Sequence, residues 1–124
     1  MYKLFTVTEA SEMIPVVDGH LRDMQGAIKD LLAAQQSFAK AKPLSIKARN
    51  LYEEISFLLR SIEGSKAELD RLGVYLKNVD AGVVDFPSRL GAEVVYLSWR
   101  QGEPAITHYH RLTADATQQP LPLN

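Results

Sequence analysis

Asp85 is the side chain in this sequence best placed to do chemistry. It stands between Val84 and Phe86, directly before the Phe86-Pro87 step. A carboxylate inside an apolar strand is costly to bury unless a partner meets it. Arg89 is the first candidate partner by proximity, and Arg100 is the second. Such a group could bind a metal or act as acid or base. The favoured reading is structural: a buried ion pair or turn cap that fixes the Phe86-Pro87 bend. His108 and His110 are two apart, so on a strand they share a face. Two imidazoles at that spacing can ligate a metal when a carboxylate joins them, with Glu103, Glu93 and Asp85 as possible third ligands. A His-x-His pair alone is a weak signal, and no metal or other cofactor is expected. Trp99, Tyr96 and Tyr109 form an aromatic group that could stack on a ligand. Packing onto a helix is the favoured role, with the Trp99 indole N–H in need of an acceptor. Nothing resembles a nucleophile elbow, a phosphate loop or a dinucleotide fingerprint. The chain has no cysteine, which removes thiol nucleophiles, disulfides and Cys-based zinc sites together.

The elements that must position these residues are legible from periodicity. Ile14, Val17, Leu21, Met24, Ile28, Leu31, Gln35 and Phe38 follow steps of three and four, as do Leu44, Ala48, Leu51, Ile55, Leu58, Ile62, Ser65, Leu69 and Leu72. That spacing sets each group along one side of a helix. Helix one is expected over 8–41, capped by Thr8 and kinked or restarted near Pro15. Helix two is expected over 44–72, opened by Pro43 or Ser45 and closed by Gly73. The short connection makes the two antiparallel. The segment 2–7 reads as an edge strand or as packing against the hairpin. After Gly73 the pattern changes to period two, and Val95, Leu97 and Trp99 face away from Val94, Tyr96 and Ser98. Residues 73–112 form the β-module, and 113–124 an extended tail. The fold class is α+β in a single domain: a long antiparallel helical hairpin with a small antiparallel sheet of three to four strands at one end.

Net charge is -1, from 14 Lys and Arg against 15 Asp and Glu. No basic excess exists to neutralise a phosphate backbone, so nucleic acid is not an expected partner. No apolar run approaches the roughly 20 residues of a membrane span, and the N-terminus lacks a signal-peptide core. A cytoplasmic location is the expectation. Tyr52, Phe57 and Leu59 lie beyond the seam between the helices, and a β-module of about 40 residues cannot cover a hairpin roughly 45 Å long. A second copy could, in a four-helix bundle, so a homodimer is expected.

Several phrases resemble a small uncharacterised bacterial family, domain of unknown function 2203. They are Phe5-Thr6-Val7-Thr8-Glu9-Ala10 with Ile14-Pro15, then Gly73-Val74 with Leu76-Lys77, and Gly82-Val83-Val84-Asp85-Phe86-Pro87. The most specific stretch is Val94 to His110, with Leu97-Ser98-Trp99, Gly102-Glu103, Ile106 and Tyr109-His110. In the family pattern, cysteine is frequent where Ser98 stands here, and tryptophan where Tyr109 stands. The resemblance carries His110 and not His108. It implies a shared fold and no particular substrate. The leading functional reading is a non-enzymatic interaction or scaffold protein. Asp85, Arg89, Trp99, Glu103 and His110 would line a polar cleft between the sheet and the start of helix one. The alternative is a small-ligand or metal-dependent enzyme in that cleft. It would use Asp85, Glu103 and His110 for catalysis, with Arg89, Trp99 and Arg100 binding the ligand.

Overall fold

Helix α1 runs Val7–Lys40 and α2 runs Ile46–Leu72. The computed structural model describes residues 3–112 and 120–123. Thr6, not Thr8, caps α1: its hydroxyl accepts from the Glu9 backbone N–H at 3.0 Å, and the Glu9 carboxylate accepts from the Thr6 N–H at 2.9 Å. This reciprocal box satisfies two otherwise unpaired N–H groups, whereas Thr8 has Ser11 three residues on and could offer only one such bond. Accepting the Thr6 backbone N–H holds the Glu9 carboxyl below its ordinary range. The helix continues through Pro15 without a second start. Pro15 lies on an exposed side, where water can serve the carbonyl it leaves unpaired.

Ser45 caps α2 by accepting from the Ala48 N–H at 3.1 Å. Gly73 closes it in the left-handed region at φ 85°, and the Val74 N–H reaches back to the Leu69 carbonyl at 3.0 Å. No helix among the described residues is long and apolar enough to cross a membrane.

The sheet is an antiparallel meander in the order β1-β2-β3-β4-β5. Its strands are β1 (Tyr75–Asn78), β2 (Val83–Leu90), β3 (Glu93–Arg100), β4 (His108–Arg111) and β5 (Leu121–Pro122). The fifth strand exceeds the three or four expected, and it comes from the segment read as a tail. It pairs with His108 and Tyr109, and the Leu123 N–H donates to the Thr107 carbonyl at 2.9 Å. Residues 113–119 and 124 of that segment lie outside the described residues. Near the start, residue 2 of the expected edge strand lies outside the described residues, and among residues 3–7 the strand reduces to one parallel bridge, Phe5 to Ser88. The Phe5 N–H donates to the Pro87 carbonyl at 2.7 Å, and the Ser88 hydroxyl donates to the Phe5 carbonyl.

The alternation read from β3 holds: Val95, Leu97 and Trp99 are buried. With Val84 and Phe86 they form the inner face of the sheet. That face packs on Val17, Leu21 and Met24 of α1, and on Leu69 of α2, with Phe5 wedged edge-on against Phe86 at 5.3 Å between centroids. A polar junction fastens α1 to the sheet. Gln25 Nε2 donates to the Val79 carbonyl at 2.9 Å and to Gln101 Oε1 at 2.8 Å. Gln101 Nε2 donates in turn to Asp18 at 2.7 Å. The Gln101 backbone sits on Gly82, whose carbonyl accepts its N–H at 2.8 Å.

The sheet covers only the half of the hairpin nearest Phe5. Beyond it, Leu32 is 56% exposed, Tyr52 63% and Leu59 47%, and Leu44 at the tip is fully exposed. Leu32 lies two turns past Gln25, so it continues the same side of α1 that meets the sheet.

Candidate functional site

The outer face of the sheet, turned away from the helices, gathers the polar groups. Register places Tyr75, Asp85, Ser98 and His108 in one row across β1 to β4, with Pro87, Tyr96 and His110 in the next. His108 and His110 share this face, as their spacing predicts. Asp85 is buried, at 8% exposure, although it belongs to the outward-facing side of β2.

Two side-chain contacts cross the outer face beside Asp85: the Tyr75 and Tyr96 rings meet edge-on over β2 with centroids 5.6 Å apart, and Lys77 on β1 meets His110 on β4. Lys77 sits at an irregularity in β1, between the paired residues Leu76 and Asn78. Its Nζ reaches His110 Nε2 on β4 at 3.4 Å. Strands lie about 4.8 Å apart, so this contact bridges roughly 14 Å of sheet, over β2 and β3. Asp85 and Ser98 lie beneath the bridge. Because lysine has only donors, the Nε2 that faces it is the acceptor nitrogen of a neutral imidazole.

Burial pushes the Asp85 carboxyl above its ordinary range, while the Lys77 ammonium, the His110 ring and the Ser98 hydroxyl pull it down without cancelling the rise. Burial also holds His110 below its ordinary value, helped by the neighbouring Lys77 charge and opposed by Asp85. Asp85 Oδ1 is fully covered and has no hydrogen-bond partner among the described residues. An acceptor left in that state costs about 1–3 kcal/mol.

The partner expected for Asp85 is corrected here. Arg89 is exposed and stands opposite Val94, two rows from Ser98 along β3. Arg100 is exposed opposite Val83, and its backbone N–H is taken by Glu103 Oε1 at 2.7 Å. Neither pairs with Asp85: the groups that approach it are Lys77, His110 and Ser98. The expected cleft between sheet and helix one is not assembled either. Trp99 faces inward and is buried in the core, as the packing reading expects, while Asp85, Arg89 and His110 face outward. The acceptor that the Trp99 indole requires is the Glu103 carbonyl, at 3.1 Å. Glu103 is therefore occupied in closing the turn after β3, away from Asp85 and His110. Asp85, His108 and His110 make no metal-binding trio, and no group of three His, Cys, Asp or Glu suited to a metal occurs among the described residues.

Sequence reasoning missed Lys77 and the role of Ser98. Counting alternate residues along β1 to β3 places Tyr75, Asp85 and Ser98 on one face once the register is known. Lys77, two residues from Tyr75, shares that face by the same alternation; its reach across β2 and β3 to His110 leaves no local signal. A second concavity escaped the sequence altogether. It is an open groove of about 770 Å³ on the side of the hairpin away from Gln25, floored by Gly26, Ala27, Ser61 and Gly64 and edged by Asp23 and Glu68.

No curated protein and no solved structure matches the chain significantly. The model of the family described as "Uncharacterized conserved protein (DUF2203)" matches residues 3–119, and the chain belongs to that family.

Proposed function

We propose that this chain is a non-enzymatic interaction protein that acts as a homodimer in the bacterial cytoplasm, joined through the distal half of its helical hairpin. The observation that carries this reading is the bare apolar surface beyond the sheet. Leu32 on α1, with Tyr52 and Leu59 on α2, continues the side of the hairpin that the sheet covers nearer Phe5. Phe38, Leu44 and Tyr52 border an apolar hollow at the tip. With about 100 Å² exposed on each, these five side chains offer roughly 500 Å². That is the apolar share of a patch of about 800–900 Å², the size one partner contributes to a standard interface.

A second copy is the occupant that fits. The sheet already fills the near half of this side, so two copies related by a two-fold axis can meet only tip half against tip half. The product is an antiparallel four-helix bundle with one sheet at each end. Phe57 lies on the opposite side, bordering the groove floored by Gly64, and falls outside that seam.

Sedimentation equilibrium tests the reading. The intact chain should give twice its 13.8 kDa mass at micromolar concentration. Tyr52→Glu with Leu59→Glu should give monomer with unchanged helix content, and Phe57→Glu should leave the dimer intact. A wild-type monomer at about 0.1 mM, a concentration far above the Kd of a standard interface, refutes the proposal.

A further inference from the structure

The basic groups over Asp85 point to a second property, independent of the dimer. We propose that Lys77 and His110, meeting above Asp85, form a binding site for a small oxyanion, the carboxylate or phosphate group of a small molecule.

Three observations carry it. First, the face is electrostatically one-sided. Lys77, Arg89, Arg100, His108 and His110 belong to the outer side of the sheet, and the one carboxylate among its described strand residues is Asp85. The whole chain carries a net charge of -1, so this asymmetry is local and not a bulk excess. Second, Lys77 and His110 come from strands separated by two others, yet their nitrogens converge to 3.4 Å. An ammonium has three donors and uses one on Nε2, so the remaining N–H groups are available to an acceptor above the bridge. Third, the one carboxylate among the described strand residues of this face sits underneath and is itself buried, with Oδ1 covered and without a partner among the described residues. Asp85 thus lies beneath the two groups as an opposing charge and cannot reach a ligand on the solvent side. Lys77 supplies the donors, and His110 accepts one of its N–H groups and so orients the ammonium.

This arrangement favours an anion over a cation. A metal ion would have to displace the Lys77 ammonium from Nε2 and would find no third ligand among the described residues. An oxyanion meets the free N–H groups of the Lys77 ammonium, with Arg100 as further positive charge on the same face. Because Asp85 opposes an anion electrostatically, removing its charge and removing the Lys77 charge must have opposite effects on affinity.

The test is isothermal titration of the intact chain with sodium phosphate, sodium acetate and zinc chloride in parallel. At low ionic strength, phosphate or acetate should bind saturably with a millimolar Kd, and the tighter of the two identifies the headgroup. Lys77→Met should weaken binding by about fivefold or more and Asp85→Asn should tighten it severalfold, as the sign of each charge change requires, and His110→Gln should weaken it by removing the ring nitrogen that orients the ammonium. Circular dichroism checks that each variant folds, and if Asp85→Asn does not fold, the Lys77 and His110 variants decide alone. Absence of saturable anion binding up to about 50 mM overturns the proposal. So does binding that survives Lys77→Met, binding that Asp85→Asn weakens in a folded protein, or stoichiometric zinc capture that depends on Asp85. None of these outcomes depends on whether the chain is monomer or dimer.

Discussion

Gly82→Ala isolates the joint between α1 and the sheet. Gly82 has φ 66°, and a Cβ built there would lie 2.5 Å from both Cβ and Oε1 of Gln101. Two costs follow. Placing an L side chain in the left-handed region costs about 1–2 kcal/mol. Pushing Gln101 aside then breaks its bonds to Gln25, at 2.8 Å, and to Asp18, at 2.7 Å. These are worth about 1 kcal/mol for the neutral bond and somewhat more for the bond to the carboxylate, at the low end because Asp18 is partly exposed. The total is about 3–4 kcal/mol. Gly91 provides the control, since it has φ 62° but nothing within 4 Å of an added Cβ. Gly91→Ala should therefore show only the conformational cost, leaving a gap of roughly 2 kcal/mol between the variants. Urea denaturation followed by Trp99 fluorescence and far-ultraviolet circular dichroism measures both. Gln25→Ala should also cost about 1 kcal/mol less in the Gly82→Ala background than in wild type, because its contact with Gln101 is already lost. Equal destabilisation by the two glycine substitutions, within about 0.5 kcal/mol, would refute the account of the joint.

Two further expectations concern pH and capping. Asp85 binds its proton more tightly folded than unfolded, so wild type should lose stability as pH rises from the ordinary carboxylate range through the raised folded value. Asp85→Asn should lack that loss and be the more stable protein at neutral pH. Thermal melts of both between about pH 4 and pH 8 test this, and the difference curve largely cancels the opposite slope from His110, whose lowered pKa makes stability rise with pH. Thr6→Ala should destabilise by about 1 kcal/mol in denaturant titrations. Glu9→Gln should flatten the acid limb, because the contribution of Glu9 is present above its ordinary pKa and is lost as pH falls through its lowered folded value.

The helical stripes were readable because their period is set by local geometry and repeated many times. The same is true of Val95, Leu97 and Trp99 on β3. The burial of Asp85 was readable from Val84 and Phe86 beside it. Its surroundings were not. Arg89 is close in sequence, but four strand residues place it about 13 Å along β2. Lys77 and His110 are brought over Asp85 by strand register, which depends on turn closure across the sheet. The Thr6 cap was accessible, since Thr6 and Glu9 carry the capping-box spacing, and the nearer threonine, Thr8, obscured it. Leu121–Pro122 could not be read as a strand because two residues with a proline carry no alternation.

The bond between the Ser88 hydroxyl and the Phe5 carbonyl joins positions 83 apart, as does that between Gln101 and Asp18. On a ribosome, α1 and α2 can coil and dock as soon as they emerge, because their contacts are near neighbours across a short loop. Phe5 has no seat until β2 exists, and Asp18 has none until β3 is complete. Loop closure over such distances is slow compared with helix formation. The hairpin should therefore form first, with the seat for the sheet still bare, and the greasy underside of β2 and β3 should arrive late to cover it.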